Sequence, residues 1–152
     1  MFKFLAIAVG AIFVFVVAAV LIPCLSSSKD SANESSALSM THMLVTAEIQ
    51  YQSTHGQYVD MKALAENCSP TSACAIDPTL ATSSPASPRY DYYFIAQPGP
   101  SAGTFVVAAL PVKFPHKSFC AIDDGVVRSE HRRSNSGAAS YADCKSMPPL
   151  AP

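Results

Sequence analysis

Residues 4–22 read FLAIAVGAIFVFVVAAVLI and residues 37–52 read ALSMTHMLVTAEIQYQ; together these two stretches decide the fold. The first holds no charged or strongly polar side chain. Its 19 residues, at helical rise, extend roughly 28 Å, about the hydrocarbon thickness of a bilayer. In the second, Ala37, Leu38, Met40, Leu44, Val45, Ala47, Tyr51 and Gln52 recur at spacings of three, four and seven, which lays one face along a helix. Residues 26–31 between them are polar, yet the helical pattern resumes beyond. Gly56, just after His55, supplies the residue that most easily takes the left-handed conformation ending a helix. The reading is one rod of about fifty residues, its first half in lipid and its second half clamped by a head. Pro23 should interrupt it, with a kink or local melting near residues 19–23, because proline removes one backbone hydrogen bond and clashes with the preceding turn.

Composition bounds the rest. A chain of 152 residues has room for one domain with a core. Between Met1 and Leu25, 22 of 25 residues are apolar, so the remainder is an ordinary, slightly polar head. A net charge of −1 with 14% charged residues argues against electrostatic capture of nucleic acid, which needs clustered Lys and Arg, and also against intrinsic disorder. Five cysteines point to an oxidising compartment. Lys3 ahead of the apolar stretch and Lys29 behind it, with Asp30 and Glu34 close by, weakly favour a cytoplasmic N-terminus, leaving the head outside. Leu21-Ile22-Pro23-Cys24 puts proline where a signal-peptide cleavage site needs a small residue. The same four residues are a degenerate lipobox whose processing would leave a lipidated Cys24; the simpler reading of Cys24 is an unpaired buried thiol.

In the head, Tyr58-Val59 reads as a short extended piece and Asp60 as the cap of a small helix through Glu66. Residues 68–88 read as loop, rich in Pro, Ser and Thr. Strands are expected at residues 90–97, 104–110, 118–122 and 126–128. Pro98-Gly99-Pro100-Ser101 separates the first two, and Asp123-Asp124-Gly125 is a tight hairpin signal with Gly125 at positive φ. Tyr90, Tyr92, Phe94 and Ala96 would share one face of the first strand, and Phe105, Val107 and Ala109 one face of the second. That face needs a partner, and the apolar stripe of the long helix supplies it. The fold class is therefore α+β, a long N-terminal helix packed on a small antiparallel sheet. It divides into a transmembrane segment at 1–25, its amphipathic continuation at 26–56, a head at 57–128 and an irregular tail at 129–152.

The chemistry-bearing residues are sparse. His42, His55, His116 and His131 are scattered, with no second ligand at metal-binding spacing. Cys68, Cys74, Cys120 and Cys144 allow three disulfide connectivities, and the spacing selects none of them; zinc is disfavoured because no Cys-x-x-Cys occurs. Asp123-Asp124 is explained by turn chemistry, with acid/base catalysis as a rival that would need a pocket and a second constellation. His131-Arg132-Arg133 is a short basic cluster of the kind found in solvated loops, with DNA contact as its sharper rival. No nucleophile elbow, P-loop or dinucleotide fingerprint is present, so no catalytic residue is assigned and the chain is not read as an enzyme.

The order of these parts resembles the type IV pilins and type II secretion pseudopilins of bacteria. Residues 22–37, IPCLSSSKDSANESSA, look like the run that follows the membrane half of a pilin helix. Residues 46–51, TAEIQY, and 119–128, FCAIDDGVVR, look like pieces of pilin-like heads. The resemblance covers about residues 2–128. It implies a pilin-like fold and a role as a minor pilin or pilin-like protein. The helix core would be built from Phe4, Phe13 and Phe15, with Pro23 at its end. Partners would be other pilin-like subunits, the inner membrane and assembly platform proteins. The location would be single-pass in the inner membrane, with the head in the periplasm or an extracellular filament.

The resemblance further pairs Cys120 with Cys144, stapling the tail to the sheet, and leaves Cys68 with Cys74 as a local pair. It raises calcium as the one cofactor to consider, in a C-terminal loop site drawn from Asp91, Asp123, Asp124 and Asp143. Two departures stand out. The family's basic leader, cut just before a Phe or Met, has no counterpart ahead of Met1, so on this reading the chain is either processed or lacks the site. The family's fifth-position glutamate falls on Ala6. The rival class is a solitary anchored or lipidated periplasmic binding domain of the same fold.

Overall fold

The structure is a computed structural model that describes residues 2–66, 74–132 and 140–150, with side chains from Ser27 onward except that of Arg132. Its first element is α1 (Phe2–His55), and the helix runs through Pro23 without a break, so local melting at 19–23 does not occur. The side chains of Phe4, Phe13, Phe15, Pro23 and Cys24 lie outside the described residues. Among the described residues no helix is long and apolar enough to cross a membrane. Residues 1–32 form one compact unit, and residues 33–152 form a second that holds the later part of α1, the other helices and the sheet.

α1 ends where the sequence places its stop. The Gly56 N–H donates to the Gln52 carbonyl at 2.7 Å, and Gly56 takes φ +77°, a conformation costly for any residue with a Cβ. Next comes α2 (Met61–Glu66), whose first turn is capped by Asp60, its Oδ1 accepting from the Ala63 N–H at 2.8 Å. A further single turn, α3 (Pro78–Ala81), lies inside the segment read as loop; Asp77 caps it and Pro78 opens it.

Among the described residues four strands then form an antiparallel meander in the order β1 (Tyr92–Pro98), β2 (Phe105–Pro111), β3 (His116–Ile122) and β4 (Arg128–Arg132). The register pairs Phe94 with Ala109, Ala108 with Cys120, and Lys117 with His131. On one face Tyr92, Phe94, Ala96, Phe105, Val107, Ala109, Phe119 and Ala121 are buried. They form a single apolar cluster with Ala37, Leu44, Val45 and Ala47 of α1 and Leu64 of α2. Helix and sheet bury each other as the pattern requires: each offers one apolar face, and only contact removes both from water.

Three expectations are corrected. Tyr90 does not share the β1 face: it precedes the strand, is 44% exposed and has φ +54°. The fourth strand lies at Arg128–Arg132 rather than 126–128, so the turn after β3 is wider than a tight hairpin. The described residues of the tail beyond residue 128 are not all irregular: they include β4 and a helix, α4 (Tyr141–Ser146). α4 begins with a reciprocal cap, in which Ser140 Oγ accepts from the Asp143 N–H at 3.1 Å and donates to Asp143 Oδ2 at 2.7 Å. Cys144 and Met147 cover the second face of the sheet against Val106, Ala108, Leu110, Cys120 and Ile122. Both faces of β2 are therefore buried, which explains why its seven residues show no alternation.

Candidate functional site

Three places in the head gather polar chemistry. The first joins α1 to the sheet. Asn33 Nδ2 donates to Asp91 Oδ2 at 2.8 Å, while Lys113 Nζ lies 2.8 Å from Asp91 Oδ1. Glu34 accepts from the Lys117 backbone N–H at 3.3 Å, with Lys117 Nζ at 3.9 Å and His116 Nδ1 at 3.7 Å. Asp91 itself stands at φ +62°, next to Tyr90 in the same left-handed region. Two consecutive non-glycine residues there cost on the order of 1–2 kcal/mol each. Asp91's contacts to Asn33 and Lys113, and the Val112 N–H that its carbonyl accepts at 2.9 Å, hold the conformation.

The second place is the turn after β3 with the C-terminal segment. The Gly125 N–H closes on the Ile122 carbonyl at 2.9 Å, with Gly125 at the expected positive φ. Asp124 Oδ1 accepts from the Val126 N–H at 2.9 Å and from Arg128 Nη1 at 3.0 Å. The Arg128 guanidinium holds the Asp124 carboxyl below the ordinary carboxylate range, and Asp124 in turn raises Arg128. Asp123 hydrogen-bonds the Tyr141 hydroxyl, which pushes the Tyr141 phenol up. Cys120 of β3 and Cys144 of α4 form a disulfide with Cα atoms 5.8 Å apart. Leu150 N–H donates to the Val127 carbonyl and Ser129 N–H to the Pro148 carbonyl, so the C-terminal segment runs along the outer edge of β4.

These contacts decide how the expected site residues are used. Asp123 and Asp124 organise a turn and tie it to α4. Asp143 accepts from the Ser140 hydroxyl that caps α4, and Asp91 anchors α1. The four carboxylates named for calcium thus have four separate protein roles, and among the described residues no three His, Cys, Asp or Glu side chains gather for a metal ion. Cys74 is disulfide-bonded too, but Cys68 lies outside the described residues. Of the histidines, His55 stacks on Tyr51 with ring centroids 4.1 Å apart, His116 faces Glu34, and His131 and Arg132 sit in β4 opposite Lys117 and His116. Arg133 lies outside the described residues.

The third place has no counterpart among the sites expected from the sequence. Glu48 of α1 is 0% exposed. Its Oε2 accepts from the Val59 N–H at 3.3 Å, and its Oε1 has no hydrogen-bond partner among the described residues. Burial pushes its carboxyl up to about 7; the Val59 N–H opposes the rise and the Asp60 carboxylate adds to it. Tyr58 stands nearby, its ring 4.7 Å from that of Phe105, and its phenol is raised first by burial, then by Asp123 and Glu48. The spacing held a signal for this residue. Positions 37, 41, 44, 48 and 51 follow one helical face, and Thr41 and Glu48 are the polar members that break its apolar reading.

An open cleft of about 340 Å³ runs beside β1 and α4, lined by Gln97, Pro98, Pro100, Val106, Tyr141 and Ala142. Among the described residues its walls are mostly apolar and carry no carboxylate, imidazole or thiol. Comparison of the chain with protein-family models, with curated proteins and with solved structures finds no match to any of them.

Proposed function

We propose that the chain is a pilin-like structural subunit of a type IV pilus or a type II secretion pseudopilus, assembling through the apolar first half of its N-terminal helix. The observation that carries this reading is a division of labour along one helix. The apolar clusters of the head are assembled from residue 37 onward, with the later part of α1 backing the sheet. The 22 apolar residues among the first 25 lie upstream of those clusters and call for another apolar environment. Lipid supplies it before assembly. Neighbouring helices supply it in a filament, where each square ångström of apolar surface removed from water contributes about 25 cal/mol. The α+β architecture with a disulfide near the C-terminus supports the same reading.

The test is to shear cells that carry the assembly proteins, collect filaments and determine the mature N-terminus by mass spectrometry. A methylated N-terminal Phe or Met on a chain recovered with filaments is the expected result. A diacylglyceryl group on Cys24, or a chain that stays with the cells while filaments are released, overturns the proposal in favour of a solitary anchored domain.

A further inference from the structure

We infer that Glu48 is a proton-dependent fastening for the segment joining α1 to α2: with its carboxyl neutral, residues 56–60 close over the helix, and with it ionised they lift and admit water to Oε1. The inference uses the head alone and is independent of the filament reading.

Three observations place the movable part in that segment rather than in the helix. Leu44, Val45 and Ala47 beside Glu48 are buried in the cluster that α1 forms with the sheet, so moving the helix would expose apolar surface at several positions. Residues 56–60, by contrast, are exposed or half-buried, with Tyr58 and Val59 resting on the rim of that cluster rather than inside it, and they leave α1 through Gly56, which has open space where a Cβ would stand. The polar link from this segment to the carboxyl is the single Val59 N–H at 3.3 Å, a long bond. A neutral carboxyl tolerates one such bond. An ionised one, with a second oxygen unpartnered and out of water, does not, and the least costly relief is to let water in by lifting the exposed and half-buried segment.

Of the described groups acting on Glu48, the Val59 N–H is the one that favours its ionised form. Among the described residues the groups acting on Glu48 are the Val59 N–H and the Asp60 carboxylate, with the Tyr58 phenol within electrostatic reach and itself facing Asp123; no cation is among these. The sign follows. The closed form holds the proton up to about pH 7, whereas an exposed glutamate releases it near its ordinary value. Closure is therefore complete at low pH, weakens as pH rises through the interval between the two values, and levels off above the higher one.

Amide hydrogen exchange on the full chain in detergent, corrected for intrinsic exchange, tests this. Protection of the Val59 amide should fall by about tenfold per pH unit between pH 5 and 7 and then flatten, while the Val107 amide in β2 keeps its protection. Glu48→Gln, a neutral isostere, should flatten the Val59 profile. Constant Val59 protection across that interval in the wild-type chain overturns the inference. So does an equal loss at Val107, which would make the effect global. Should the variant fail to fold, carbon-13 titration of the wild-type Glu48 carboxyl decides: a midpoint in the ordinary carboxylate range contradicts the fastening, and one near neutrality supports it.

Discussion

Replacing Cys120 and Cys144 together by alanine is expected to lower the unfolding free energy of the head by about 3 kcal/mol. The bridge closes a loop with a sequence separation of 24, and the chain-entropy treatment of a loop of that size gives about 3 kcal/mol from restriction of the unfolded chain alone. Both residues are also at most 2% exposed and lie in the cluster under α4, with Cys120 Sγ 3.5 Å from Met147 Sδ. Loss of the sulfurs therefore removes packing as well. Chemical denaturation of the double variant beside the wild-type chain, both without reductant, isolates this bridge from the one at Cys74. A difference below about 1 kcal/mol would mean that α4 stays on the sheet without its staple.

The second large effect is expected at Leu44. It is 0% exposed and sits in the cluster where α1 meets the sheet, so Leu44→Ala should destabilise the head by about 3 kcal/mol, the range for a leucine truncated in a closed core. Ile49→Ala is the internal control. Ile49 is on the same helix but 48% exposed, and its truncation should change stability by no more than about 0.5 kcal/mol. Equal costs at the two positions would contradict the assignment of one helical face to the sheet.

The residues themselves explain why some of the fold was legible and some was not. The stop of α1 at Gly56, the cap at Asp60 and the first three strands follow from backbone preferences and hydrophobic periodicity, which are local properties. β4 is different. Its five residues, RSEHR, contain no apolar side chain and are held by backbone pairing to β3, so neither propensity nor alternation marks them. α4 did carry a signal, Ser140 three residues ahead of Asp143, but it stands alone in a stretch of Ser, Ala and Pro where a cap motif carries little weight.

The second apolar face of the sheet could have been read from the unbroken run FVVAALP in β2, since a strand with one wet face alternates and this one does not. The polar sites divide in the same way. Gly125 in its turn was legible because it is local chemistry. The Asn33–Asp91 contact was not, because it joins residues 58 positions apart and only the folded register brings them together. Glu48 went unread because a glutamate on a helix is ordinarily a solvated residue, and its burial depends on what packs over it. For the calcium reading, the carboxylates counted along the sequence turn out to be engaged separately, with Arg128, Tyr141, Lys113 and the first turn of α4.

The claim on which the functional account rests is that the apolar half of α1 packs against other subunits. Its most direct test is to place the photo-reactive residue benzoylphenylalanine at Phe4, Phe13 and Phe15 in turn, in cells carrying the assembly proteins, and irradiate the sheared filaments. The account predicts adducts between this chain and a second copy or another pilin-like subunit, formed through these positions and absent when the same probe replaces the exposed Tyr90. Adducts confined to lipid at all three positions, in a chain whose head is folded, would contradict it.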